Sequence, residues 1–151
     1  MKQFIAFILI VFLFHSCGPC DRVDCLSDNY FGHFRIISAA NGEDLVFGPT
    51  RFYDKKLIKF FALNGVDTTF FDFHTINSGG TIGFDSILQV SFFPETDIAF
   101  MRLSDGDVDT FQISYNTFGT KCCGTITEIT NFRFNNTIDL PGGQGIQEIK
   151  K

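Results

Sequence analysis

In the stretch DVDTFQISY, Phe111, Ile113 and Tyr115 fall on one side of an extended chain, and Thr110, Gln112 and Ser114 on the other. A period of two is that of a half-buried β-strand, so Phe111, Ile113 and Tyr115 are expected to face a core. In TDIAFMRLS both phases are apolar, with Ile98 and Phe100 on one and Ala99, Met101 and Leu103 on the other. That is the pattern of a strand covered on both sides or lying centrally in a sheet. Similar short runs predict strands near 32–38, 44–48, 56–63, 68–74, 86–93, 97–103, 108–115, 122–134 and 144–149. Asn41-Gly42, Asn64-Gly65, Ser78-Gly79-Gly80 and Asp105-Gly106 separate them with residues that tolerate positive φ, as hairpins and loops require. No fixed-period repeat and no amphipathic helix of useful length interrupts the series. The expected fold is all-β, an antiparallel β-sandwich of about 7–9 strands, immunoglobulin-like in its pattern of short strands.

Composition agrees: 21 Phe accompany many Ile, Val and Thr, all suited to a pleated, half-buried surface. The first residues do not belong to this pattern. Lys2 precedes an unbroken apolar run, Phe4 to Phe14, which reads as a secretory signal peptide. As a helix the run would cross only about half a bilayer, which takes roughly twenty apolar residues. His15-Ser16-Cys17 follows and resembles the lipobox of bacterial lipoproteins, a family in which the signal is cut before a cysteine whose sulfur then carries a diacylglycerol. Residues 1–16 are thus expected to be a lipoprotein signal peptide, 17–25 a lipidated N-terminus and short tether, and 26–151 a single β-sandwich domain. The resemblance implies a membrane partner through lipid on Cys17 and a place in the cell envelope, on the outer membrane.

Cys17-Gly18-Pro19-Cys20 also spells the tetrad that thioredoxins use for disulfide exchange. That exchange needs a free attacking thiolate, which an acylated Cys17 cannot supply, and no βαβ pattern surrounds the tetrad. Setting Cys17 aside leaves Cys20, Cys25, Cys122 and Cys123, which allow three pairings. Export favours structural disulfides over free thiols. Cys122 and Cys123 are neighbours in an apparent strand, where successive side chains diverge, so at least one bridge is expected from the Cys20/Cys25 segment to this pair. The tether from Cys17 to Cys25 can stretch at most about 28 Å, which keeps the domain close to lipid.

The stretches FRIISAANGEDLVFGPTRFYDKKLIKFFALNG and DVDTFQISYNTFGTKCCGTITEITNFRFNN resemble small uncharacterised lipoproteins of Bacteroidetes-type bacteria, in the polar turn NGEDLVFGP and the late Cys-Cys pair. The resemblance implies a β-sandwich, transthyretin-like as an alternative to immunoglobulin-like, and an envelope address, and it brings no catalytic residues.

Chemistry is sparse. The net charge of −5, with only Lys55-Lys56 and Lys150-Lys151 as basic pairs, argues against nucleic acid as a partner. Asp105, Asp107 and Asp109 alternate and offer oxygens to calcium, but an EF-hand loop would need Gly at Thr110 and Glu at Asn116, so a solvated turn is the better reading. His33 and His74 each stand beside Phe in a strand context and are expected to be half-buried, satisfied histidines. Ser78–Gly83 lacks the Lys of a phosphate-binding loop. Asp67-Thr68-Thr69 and Asp85-Ser86-Ile87 match a short O-glycosylation pattern that is as common by chance. No cofactor is expected. The favoured function is a non-enzymatic binding or accessory module of the envelope with a protein or glycan partner. One rival is a small hydrolase or metal-dependent enzyme in which Asp105, Asp107, Asp109, His33 and His74 converge in a cleft. Another is a sandwich that holds a glycan or apolar ligand in a Phe-lined groove.

Overall fold

The computed structural model describes residues 20, 23–25, 27–80, 86–143 and 145–151. Their contacts divide into two compact units. One comprises the described residues up to Asp28 together with Thr117–Ile126, and the other comprises Asn29–Asn116 and Thr127–Lys151.

The larger unit is built from ten strands, two of which run on into the smaller one. They are β1 (Phe31–Ile37), β2 (Lys59–Asn64), β3 (Asp67–Phe71), β4 (Phe73–Ile76), β5 (Ile87–Ser91), β6 (Ile98–Ser104), β7 (Asp107–Thr120), β8 (Gly124–Phe134), β9 (Ile138–Pro141) and β10 (Ile146–Lys150). They form a four-stranded sheet, β10-β1-β5-β4, and a six-stranded sheet, β3-β2-β6-β7-β8-β9, whose inner faces enclose a single core. The fold is the expected β-sandwich, with ten strands where about 7–9 were expected and one departure from an antiparallel plan: β10 lies parallel to β1, Phe34 beside Gln147 and Ile36 beside Ile149.

Period two decides what faces inward. Phe111 and Ile113 of β7 are buried and Tyr115 packs against the core, while β6 sits centrally with Ala99, Met101 and Leu103 buried. Phe34 lies at the middle, fully buried, its ring against those of Phe60, Phe92, Phe111 and Phe132 at centroid distances of 4.9 to 6.4 Å. Gly32 makes room for this cluster, since a Cβ there would come within 2.6 Å of the Phe34 ring and 2.9 Å of Phe132.

Four expectations are corrected. The run 44–48 is a turn, because the Asp44 carboxylate accepts the Val46 and Phe47 N–H groups that a strand ladder would have used, at 2.9 and 2.8 Å. The run 68–74 is two strands in two sheets, broken at Asp72, and the corner still lets Phe71 and Phe73 both reach the core. β9 has no counterpart in the expected series. It follows a tight turn with both Asn135 and Asn136 at positive φ, and Thr137 N–H donates to Phe134 C=O at 3.0 Å. Cys122 and Cys123 lie in the turn between β7 and β8 rather than in a strand.

In the smaller unit the expected bridges are present twice over. Cys20 is bonded to Cys122 and Cys25 to Cys123, with Cα atoms 5.2 and 5.3 Å apart. Cys17 lies outside the described residues.

Candidate functional site

The acidic triplet of the sequence does not come together. Asp105 occupies the β6–β7 turn and is exposed, while Asp107 and Asp109 point inward from β7. Lys151 Nζ sits between them, 2.6 Å from Asp107 Oδ1 and 2.6 Å from Asp109 Oδ2, over the Phe134 ring. The Tyr53 hydroxyl donates to Asp107 at 2.7 Å, and the Asn135 amide donates to Asp109 at 2.8 Å. Burial works to raise the Asp107 pKa, yet hydrogen bonds from Lys151 and Tyr53 hold it below the ordinary aspartate value. Burial and the same carboxylate push the Tyr53 hydroxyl above the usual tyrosine range. These acids are occupied by a protein cation in a closed structural network, which fixes the loop bearing Tyr53 and the strand ending at Lys150.

His33 and His74 belong to the other sheet, where both stand directly opposite Gln89, one on each side. Gln89 Nε2 lies 3.0 Å from His33 Nε2, whereas His33 Nδ1 is buried without a hydrogen-bond partner and His74 is exposed, so neither is the half-buried, satisfied histidine expected. Burial lowers the His33 pKa, opposed by the Gly143 backbone. Protonation is thus favoured more in the unfolded chain than in the folded one. Stability is fully present above the ordinary histidine value, about pH 6.5, and declines as pH falls from there toward the lowered folded pKa. Denaturation midpoints at about pH 7.5 and about pH 5.5 should show this decline, and His33→Gln should flatten it. An unchanged slope in His33→Gln would assign the acid sensitivity to other groups.

The residues required by the enzyme reading are therefore spread over two sheets and do not share a cleft. Among the described residues no group of three or more His, Cys, Asp and Glu side chains is placed to hold a metal ion. Ser78–Gly80 forms a turn closed by Gly80 N–H to Asn77 C=O, and residues 81–85 lie outside the described ones. Tyr53 and Tyr115 are also unavailable as stacking surfaces, being buried or half-buried with their hydroxyls bonded to Asp107 and to the Thr96 carbonyl.

What the fold does assemble is a basic, aromatic surface. Four cations, Arg51, Lys55, Lys56 and Lys59, fall within one loop and the start of β2. Asp44, held by Arg35 Nε at 3.0 Å, shapes this loop from below, and the Phe52 and Tyr53 N–H groups both donate to Leu45 C=O. The result is an open cavity of about 420 Å³ lined by Phe47, Arg51, Phe52, Asp54, Lys55 and Lys56. Phe52 stands at its rim, 76% exposed.

The sheet carries the charge further. Lys59 lies directly opposite Arg102 of β6. Like charges in that position are destabilising. Arg51, Lys56, Lys59 and Arg102 make no ion pair among the described residues. Beside them the outer face bears a row of rings across three strands, Phe100, Phe61 and Phe70, with Phe61 stacked on Phe100 at 5.3 Å and 19°. The Lys55-Lys56 pair, too small by itself to matter, is followed at the start of β2 by Lys59, which pairing sets against Arg102. Only the β2–β6 register makes that visible.

Comparison of the chain with protein-family models, with curated proteins and with solved structures returns no match.

Proposed function

We propose that the chain is a non-enzymatic, lipid-anchored binding module of the cell envelope, and that its ligand is an acidic glycan received by the cavity at Arg51, Lys55 and Lys56. The observation that carries this reading is the set of four cations without an ion pair among the described residues, Arg51 and Lys56 at the cavity and Lys59 and Arg102 on β2 and β6, in a chain of net charge −5. Lys59 and Arg102 oppose each other at a cost to the fold, which a bound anion would offset. The cavity volume lies within the range of about 300 to 1,000 Å³ typical of small-ligand sites, and an exposed Phe beside Arg suits a carboxylated ring. The apolar leader, the Ser16-Cys17 junction and the two disulfides support the envelope address. The bridged Cys20 is only three residue steps from Cys17 in sequence, a reach of at most roughly 11 Å. The Phe100–Phe61–Phe70 row is less suited to sugar, since Phe61 and Phe100 cover each other's faces.

The test is retention on polygalacturonate against neutral dextran, read as a function of salt. Lys59→Glu should weaken retention about tenfold while leaving stability unchanged or raised by roughly 0.2 to 1 kcal/mol, because it replaces a repulsive cross-strand pair by an attractive one. Opposite signs for binding and stability separate ligand recognition from a damaged fold. Equal retention on both matrices sinks the glycan reading. In protein from its native envelope, an acylated N-terminal Cys17 is expected, and a free Cys17 removes the anchor.

A further inference from the structure

Among the described residues the two sheets end in four edge strands: β4 and β10 in one, β3 and β9 in the other. An edge exposes unpaired N–H and C=O groups, and proteins guard it with shortness, charge or proline. β9 has four residues and contains Pro141, with Asp139 bonded to Arg133. β10 carries Glu148 and Lys150, and β4 has four residues. β3 has none of these guards: five residues, no proline, no lysine, and one charge, Asp67, at its turn end. Apolar side chains are also exposed there, with Phe70 57%, Leu63 54% and Val66, at the hairpin tip, 99% accessible.

We propose that β3 pairs antiparallel with β3 of a second copy of this chain, about a two-fold axis at Thr69. The register follows from the hairpin. Asn64 opposite Asp67 closes a two-residue turn, so Asp67, Thr69 and Phe71 direct their backbone groups to β2, and Thr68 and Phe70 direct theirs to the open side. With Thr69 on the axis, Thr68 of each copy stands opposite Phe70 of the other, and the open backbone groups of both residues are satisfied in both copies. The pairing is isologous, so it closes at two and needs no other chain. Opposed residues share a face, which brings the two Phe70 rings into diagonal contact and joins the two Phe100–Phe61–Phe70 rows into one. Asp67 falls opposite Phe71, so no acid meets an acid. The inference uses neither the cations nor the lipid anchor.

The register gives a covalent test. Thr69 faces its own copy in a pair without mutual hydrogen bonds, where Cα atoms stand about 4.5 Å apart, close enough for a disulfide. In the full chain, Thr69→Cys should produce a dimer on non-reducing gels, with peptide mapping placing the new bridge between the substituted positions of the two copies and the two native bridges intact. Leu63→Cys, also exposed but off the axis, should not. Thr68→Pro removes an outward N–H while sparing the β2 ladder, and should shift the native dimer to monomer in sedimentation velocity, weakening association about tenfold or more. A monomer at every concentration overturns the proposal. So does a dimer that survives Thr68→Pro, or equal crosslinking from Leu63→Cys.

Discussion

Truncation of Phe34 to alanine is expected to destabilise the protein by about 3 to 5 kcal/mol, the range for a fully buried aromatic. Its ring touches four others drawn from both sheets, so the void cannot be closed by the shift of one strand. Gly32 sharpens the effect, because it has no side chain of its own to turn into the space that the Phe34 ring leaves. With typical domain stabilities of about 5 to 15 kcal/mol, the loss consumes a large share of the total. Urea denaturation followed by far-ultraviolet circular dichroism would measure it. Phe34→Leu, which keeps most of the volume, should cost much less. Equal losses from the two variants would show that the ring contacts, rather than the filled volume, dominate the site.

The second large effect belongs to the disulfides, and its signature is non-additivity. Each bridge spans about a hundred residues, 102 for Cys20–Cys122 and 98 for Cys25–Cys123, so either one alone removes most of the same freedom from the unfolded chain. With one bridge in place the other closes only a ring of roughly eight residues, worth about 2.5 kcal/mol by chain entropy, against about 4.7 kcal/mol for the long loop. Replacement of either pair by serine is therefore expected to cost about 2 to 3 kcal/mol, and replacement of both about 7 kcal/mol. Guanidinium melts of the two double variants and the quadruple variant decide the matter. Losses that simply add would mean that the bridges act through the folded state instead.

The fold was legible where pattern and environment agree. The alternation around Phe111 and Ile113 was enough to orient β7, and the Gly65 and Gly106 turns fall where the sequence placed them, both at positive φ. It was illegible where a side chain competed for the backbone. Asp44 takes two N–H groups by its carboxylate, so a stretch that reads as a strand, Leu45-Val46-Phe47, coils into a turn. Asp72 hides a change of sheet inside one apolar run, and Pro141 disguises β9. The candidate surface was harder to read. Lys59 and Arg102 become neighbours only through the β2–β6 register, and nothing near Asp107 in sequence announces that Lys151 will neutralise it. Local chemistry named the residues, whereas distant pairing decided what they could do.

The doubled bridge has a consequence for damage. Any single cut of the backbone between Cys20 and Cys122, including one in the long β4–β5 connection or the basic loop, leaves both fragments covalently joined through at least one disulfide. A protease acting alone can nick the domain in that span without shedding it. Separation of the two fragments after such a single cut requires a reductant as well as the protease.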